Sequence, residues 1–395
     1  MFSLLPAFLS GIFAGTLTGL IPGIHINLIS TILLSSPLLI FFSPEIAIIF
    51  IIAMAITHTF IDFIPSIYLG APDEDTGLAT LPGHKFLIKG RGHEAIKLTL
   101  IGSTIAISTL IIVIPLFFFL LPTTYSFINQ MMAWFLIWIS ILLLYLEKSN
   151  KMNSIIIFVL AGFLGIASLN LNVNQPLLPL LTGLFGSSTI IYSIKNKTKI
   201  PKQKIEKLIL PKKELIKPTI STTLISPICS LFPGLGSSQA AIIGSSITKN
   251  INKKQFLILL GSVNTLVMAT SFITLILLNK TRTGAANAVS QIAKTNPHLT
   301  IILITILAST LISVPLTIFL SRKIAKNIHK INYSKISITI LIFLTILIAY
   351  FSKTSGLLVF LVSTSLGLTS IHLGVRRGFL MGSLLIPTIL LYLPF

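Results

Sequence analysis

Apolar residues in this chain run in long, nearly unbroken stretches. Residues 98–121, 255–279, 298–320, 336–352 and 376–395 each come close to the roughly 20 residues that a helix needs to cross a bilayer. Lipid offers the backbone no hydrogen-bond partner, so such stretches are helices. The short alternating segments of a membrane β-barrel are not found. Polar and turn-forming residues divide the pattern further. Residues 3–42 form one apolar stretch broken at Pro22-Gly23, followed by spans near 45–69, 96–121, 125–146, 153–171 and 176–194. A second broken stretch, 219–248, is interrupted at Pro233-Gly234 and followed by spans near 255–279, 298–321, 336–352, 355–372 and 376–395. The pattern predicts an all-α integral membrane protein.

The two halves echo each other. Gly15-x3-Gly19-Leu20-Ile21-Pro22-Gly23 parallels Ser226-x3-Ser230-Leu231-Phe232-Pro233-Gly234, and His58-Thr59 parallels Asn264-Thr265. Thr76-Gly77-Leu78-Ala79 parallels Thr283-Gly284-Ala285-Ala286, and Gly165–Asn174 parallels Gly367–Arg376. The offsets are 211, 206, 207 and 202 residues, four matches in one order with a slow drift. Internal repeats of this kind decide an architecture before other signals do. Each half reads as a Pro-Gly-broken helical hairpin with no net crossing, then five spans. An odd number of crossings inverts the second copy relative to the first. The expected organisation is repeat 1 over 1–194, a basic linker over 195–217 and an inverted repeat 2 over 218–395, the plan of many secondary transporters.

Composition agrees: 53% of residues are hydrophobic and 10% charged, against about 25% charged in soluble domains. The net charge of +20 does not point to nucleic acid, because the lysines and arginines sit in short connections between spans. Residues 195–217 hold nine lysines, and 322–335 hold Arg322, Lys323, Lys326, Lys330 and Lys335 with no acid. The positive-inside rule puts both connections in the cytoplasm and both termini outside, in a multi-pass plasma-membrane protein. The loop over 70–95 is less decisive, since Asp73, Glu74 and Asp75 balance its basic residues. The start Met1-Phe2-Ser3-Leu4-Leu5-Pro6 lacks a basic region and a cleavage site, so it reads as part of the first span. The single cysteine, Cys229, is expected to be a small buried hydrophobe. His84 and His93 read as solvated loop histidines.

The two Pro-Gly breaks are the first candidate site. Proline removes a donor, and the groups freed at a break in lipid must line a cavity or be buried in protein. The helix after each break aims a positive end at that cavity. Candidate substrate contacts are Pro22, Gly23, His25 and Asn27 at the first break, and Pro233, Gly234, Gly236, Ser237 and Ser238 at the second. Asn264 and Thr265 join them from the matched pair. The competing reading is a pair of proline kinks in tight helix packing.

The second site is Asp62 with His58 and Thr59. A carboxylate inside an apolar run is a functional-site hypothesis by default, and the i, i+4 spacing puts His58 on its face. These residues could carry a proton or hold a sodium ion, unless they form a structural ion pair. Arg376 and Arg377 read as interfacial anchors or anion contacts. Neither a P-loop nor a nucleophile elbow occurs, and no resident cofactor is indicated beyond a coupling Na+ or H+.

Ile225–Ser246, centred on Phe-Pro-Gly-Leu-Gly-Ser-Ser, resembles the large membrane subunit of the tripartite tricarboxylate transporters. So do Gly19-Leu20-Ile21-Pro22-Gly23 and Leu81-Pro82-Gly83-His84-Lys85. The likeness covers most of the chain and is closest to the shorter archaeal branch. It implies a cation-coupled secondary carrier of a small organic anion, a carboxylate, seated between the two Pro-Gly segments. It also implies a small membrane subunit and an extracytoplasmic solute-binding protein as partners, beside membrane lipids. The chain departs from the pattern in being short and in continuing its first break as Ile24-His25-Ile26-Asn27. Two other readings fit the same residues: a carrier for an anionic lipid such as a polyprenyl phosphate, and an intramembrane enzyme acting on a lipid anion.

Overall fold

The computed structural model describes residues 4–21, 26–35, 43–70, 76, 79–145, 147, 150–173, 175–195, 200–230, 236–248, 251–293, 298–330 and 333–393, and among them no strand occurs. The first half contains α1 (Leu4–Leu20), α2 (Ile26–Ser35), α3 (Pro44–Ile61), α4 (Phe63–Tyr68), α5 (Thr80–Ile88), α6 (Gly92–Gln130), α7 (Met132–Tyr145), α8 (Lys151–Asn170) and α9 (Leu177–Leu181). A π-helical turn, Thr182–Ser187, joins α9 to α10 (Ser188–Lys195). The second half contains α11 (Lys213–Cys229), α12 (Ser237–Ile247), α13 (Lys253–Leu278), α14 (Gly284–Ile292), α15 (Leu299–Asn327), α16 (Tyr333–His372) and α17 (Gly382–Tyr392).

Among the described residues, six helices are long and apolar enough to cross a membrane: Pro44–Tyr68, Gly92–Phe127, Lys151–Asn170, Lys253–Leu278, Leu299–Lys330 and Ser337–His372. Pro44–Tyr68 and Lys253–Leu278 form the centre. In their most apolar stretches 89% and 94% of residues are buried, against 28–39% in the other four. The outer helices turn their remaining apolar surface outward, as Ile111, Phe119, Leu311 and Tyr350 show. Such a surface is suited to lipid rather than water.

Close packing on small residues holds the centre. Helix α1 lies on α3 through Gly11 and Gly15, and α6 lies on α13 through Gly102 and Gly261. A Cβ at Gly102 would be driven into the Ile258 carbonyl, and one at Gly261 into the Thr99 carbonyl. Among apolar helices in lipid, contact between backbones replaces the hydrophobic drive available in water. The Ser103 hydroxyl reinforces this seam by donating to the Gly261 carbonyl at 3.1 Å.

Helix pairs recur across the two halves. Helix α6 packs on α13 and α3 on α15, while α1 packs on α3 and α11 on α13. Helix α8 packs on α17, and α16 on the segment from α9 to α10. Gly165 abuts the Ser383 carbonyl, and Gly367, at the matching position, abuts the Leu184 carbonyl.

Several boundaries differ from those the sequence suggests. Helix α6 runs through Pro115 and Pro122 and ends at Gln130, with Met131 as its C-cap, so the break expected between residues 121 and 125 falls later. A proline removes one backbone hydrogen bond but does not by itself end a membrane helix. Helix α11 begins at Lys213 and includes Pro218 and Pro227, so the last basic residues of the linker are helical. In α16 the break expected after residue 352 falls at Lys353, whose backbone is non-helical with φ 54°. The histidines of the 70–95 stretch are not solvated loop residues. His84 sits in α5, and His93 is buried in the first turn of α6. The acids Asp73, Glu74 and Asp75 lie outside the described residues.

Candidate functional site

The carboxylate expected to matter lies at a flaw in the central span. Asp62 separates α3 from α4, although its backbone N–H still donates to the His58 carbonyl at 2.9 Å. Pro65, three residues on, cannot donate to the Ile61 carbonyl, and this local loss of the helical ladder accounts for the flaw. Asp62 is 2% exposed.

Helix α13 completes the site from the other half. The Asn264 side-chain amide donates to Asp62 Oδ2 at 2.8 Å. The Ser237 hydroxyl, in the first turn of α12, donates to Asn264 Oδ1 at 3.3 Å. A relay of three side chains therefore links the α3–α4 flaw to the helix that follows the second Pro-Gly break. One turn before Asp62, the Thr265 hydroxyl donates to Thr59 Oγ1 at 3.3 Å. Thr59 in turn donates to the Ile56 carbonyl, which leaves its oxygen to accept. Thr59 and Thr265 are partners in the sequence repeat, and here they touch.

His58 points another way, to α1, where its Nδ1 lies 3.0 Å from Thr18 Oγ1. Thr18 also lies 3.1 Å from the Gly15 carbonyl as a donor. The Thr18 hydroxyl therefore bridges the His58 ring and the α1 backbone. His58, Thr59, Asn264, Thr265, Ser237 and Ser238 are all buried.

Helix α12 starts at Ser237 with Gly236 as its N-cap, in an extended conformation and without a side-chain cap. Its first internal bond runs from the Ala240 N–H to the Gly236 carbonyl at 3.1 Å. A helix start presents its first-turn N–H groups and the positive end of its dipole. Pro22, Gly23 and His25, and likewise Pro233 and Gly234, lie outside the described residues. Asn27 lies in the first turn of α2.

Three polar groupings went unrecognised in the sequence. Thr18 was hidden within the glycine stripe of α1. Ser313 of α15 donates to Thr57 at 3.1 Å, and a lone serine in an apolar run carries little signal. Tyr68, His93 and Ser321 form a buried knot in which the Tyr68 hydroxyl lies 3.1 Å and His93 Nδ1 2.8 Å from Ser321 Oγ. The two arginines part ways. Arg376 pairs with Glu147 at 3.0 Å. Arg377 is buried and donates to the Phe185 carbonyl at 2.9 Å and to Ser188 Oγ at 2.8 Å, bracing the π-helical turn.

A bundle of apolar spans around a buried carboxylate, amide and hydroxyl cluster defines a multi-pass membrane protein with a polar centre. The chain matches the Tripartite tricarboxylate transporter TctA family over residues 5–382, and it belongs to that family. It is therefore a component of a tricarboxylate transporter, and the family is one of transporters, not of enzymes. It is similar to MJ1079 of Methanocaldococcus jannaschii, described as uncharacterized, with 30% identity over 395 residues and 97% of each chain covered. No solved structure matches.

Proposed function

We propose that this chain is the carrier subunit of a cation-coupled secondary transporter for organic anions, with carboxylates of the tricarboxylate type as substrates. Family membership supports the substrate class, and the Asp62–Asn264 contact supports the mechanism. That contact joins a buried carboxylate in one half to an amide at the matching, equally central helix of the other.

Asp62, with Thr59 one turn before it, holds the coupling ion, and His58, turned toward Thr18 of α1, stands behind that site. Carboxylate, hydroxyl and amide oxygens are hard ligands suited to Na+, and a proton on the carboxyl would neutralise the same charge. The substrate carboxylates lie between the two Pro-Gly segments, against the starts of α2 and α12, with Asn27, Ser237 and Ser238 in their first turns. Positive helix ends favour anions, and mid-membrane helix breaks are where carriers place such sites. Ser237 touches Asn264, so occupancy of the anion site alters a hydrogen bond to the cation ligand. That is a direct route for coupling the two.

The reciprocal packing of α6 on α13 and α3 on α15 supports an inverted repeat, and alternating access follows from one set of elements rocking against the other. The lysine-rich connections face the cytoplasm and the termini face outside. A small membrane subunit and a solute-binding protein complete the system and deliver the anion.

The test is uptake of labelled citrate and a panel of other carboxylates into proteoliposomes, with Na+ and proton gradients imposed separately and candidate partner subunits added. Uptake that depends on one gradient supports the reading. Failure of every carboxylate, with movement of a polyprenyl phosphate between leaflets instead, would overturn it.

A further inference from the structure

Residues 200–212 of the basic connection form an ordered strap. The Lys204 N–H donates to the Gly90 carbonyl at 2.7 Å, and the Gly92 N–H donates to Gln203 Oε1 at 2.8 Å. Lys97, one turn into α6, donates to the Glu206 carbonyl at 2.8 Å. Gly90 has φ +73°, and a Cβ there would lie 2.9 Å from the Lys202 carbonyl, so both the turn and the strap's approach require glycine.

Below the strap, α6 and α15 leave a groove of about 560 Å³ open on the outer face of the bundle. Leu100, Ile101 and Ile105 of α6 and Val314 and Ile318 of α15 line it, and Lys97 and Lys207 stand at one end. Helices α6 and α15 run antiparallel here, since His93 at the start of α6 meets Ser321 near the end of α15. Arg322 therefore belongs to the same end of the seam as Lys97.

We propose that this groove is a binding site for a membrane lipid with an anionic phosphate headgroup, the phosphate at Lys97 and Lys207 and one hydrocarbon chain along α6 and α15. Charge complementarity selects the headgroup. The length of the groove selects the chain: from Lys97 to Ser108 it follows α6 for about 16 Å, close to the roughly 15 Å that one leaflet contributes to the hydrocarbon core. Lysine at such a depth extends its amine to the interface while its methylenes lie on apolar surface. Lys207 belongs to the strap and Lys97 to the bundle, so the lipid pins the connection between the halves to the membrane edge. This site is separate from the polar centre at Asp62 and does not depend on what the chain transports.

The full chain is extracted from bilayers of equal phosphatidylglycerol and phosphatidylcholine, delipidated stepwise, and the retained lipid is counted by native mass spectrometry. The unaltered chain is expected to retain one phosphatidylglycerol in preference to phosphatidylcholine. Each lysine near an anionic interface strengthens binding about fivefold, so Lys97→Gln with Lys207→Gln weakens retention about thirtyfold. Lys323→Gln with Lys326→Gln, at the same end of α15 but outside the groove, leaves it unchanged. Ile105→Trp fills the groove, keeps both lysines and also loses the lipid, which guards against misfolding of the lysine pair. Equal retention of phosphatidylcholine by the unaltered chain, or full phosphatidylglycerol retention by the lysine pair variant, overturns the proposal.

Discussion

Asp62 carries the strongest expectation at the scale of single residues. Asp62→Asn keeps the shape and the hydrogen-bonding partner of Asn264 but removes the charge. It is expected to abolish gradient-driven uptake while leaving gradient-independent exchange measurable; unchanged coupling in proteoliposomes would remove Asp62 from the cation site. Outside the spans, burial pushes His84 below the usual histidine range. A base whose folded pKa is depressed binds fewer protons folded than unfolded, so its contribution to stability is lost as pH falls below the unfolded value of about 6.5. The unaltered protein should lose more thermal stability than His84→Gln between pH 7 and pH 5, as read by melting in detergent. Asp62, Asn264 and Thr265 were legible in the sequence because each interrupts an apolar run and two fall at matched repeat positions. Thr18 and the Tyr68–His93–Ser321 knot were not, because hydroxyls that bond within helices occur throughout such chains. His93 looked solvated from its polar neighbours. Its burial follows from the packing of α15 over the start of α6, a contact made by residues about 230 positions away.

The elements explain which boundaries the sequence could place. Separate helices lie on either side of each Pro-Gly pair, α1 and α2 around the first and α11 and α12 around the second, with the pairs themselves outside the described residues, whereas Pro122, alone on an exposed face, does not end α6. Tight seams should respond to bulk. Gly261→Leu forces the α6–α13 backbones apart, and overpacking of this kind costs roughly 1–3 kcal/mol or more. The expected result is a marked fall in melting temperature, while Gly374→Ala, with open space around it but φ +67°, should cost only about 1 kcal/mol. The strap gives a separate readout. Gln203 accepts from Gly92 and donates to the Leu87 carbonyl at 3.1 Å. Gln203→Ala should open the strap about tenfold more often, seen as faster tryptic cleavage at Lys202, Lys204 and Lys207.

Across the whole molecule, each half is completed by the other. The outer α8 is covered by α17, and α16 by the segment around the π-helical turn; α6 lies on the central α13. The lysine- and proline-rich run at 195–217 is visible in the sequence, but this exchange of partners is not, because periodicity within a span says nothing about which other span it meets. Residues 1–194 expressed alone are expected to be degraded and to be rescued by co-expression of residues 195–395. Stable accumulation of the first half by itself would contradict the dependence inferred from the packing.

The seam between α6 and α13 also sets a timetable for biosynthesis. Gly261 follows Gly102 by 159 residues. At about 5–20 residues per second, a ribosome needs roughly 8–30 s between them. During that interval the small-residue face of α6, with the Ser103 hydroxyl on it, is in the membrane without its final neighbour. Lipid, an insertion factor or another nascent chain must shield it until α13 arrives. Slowing elongation through the lysine-rich stretch would lengthen that exposure, so the yield of this protein should fall as translation there is slowed.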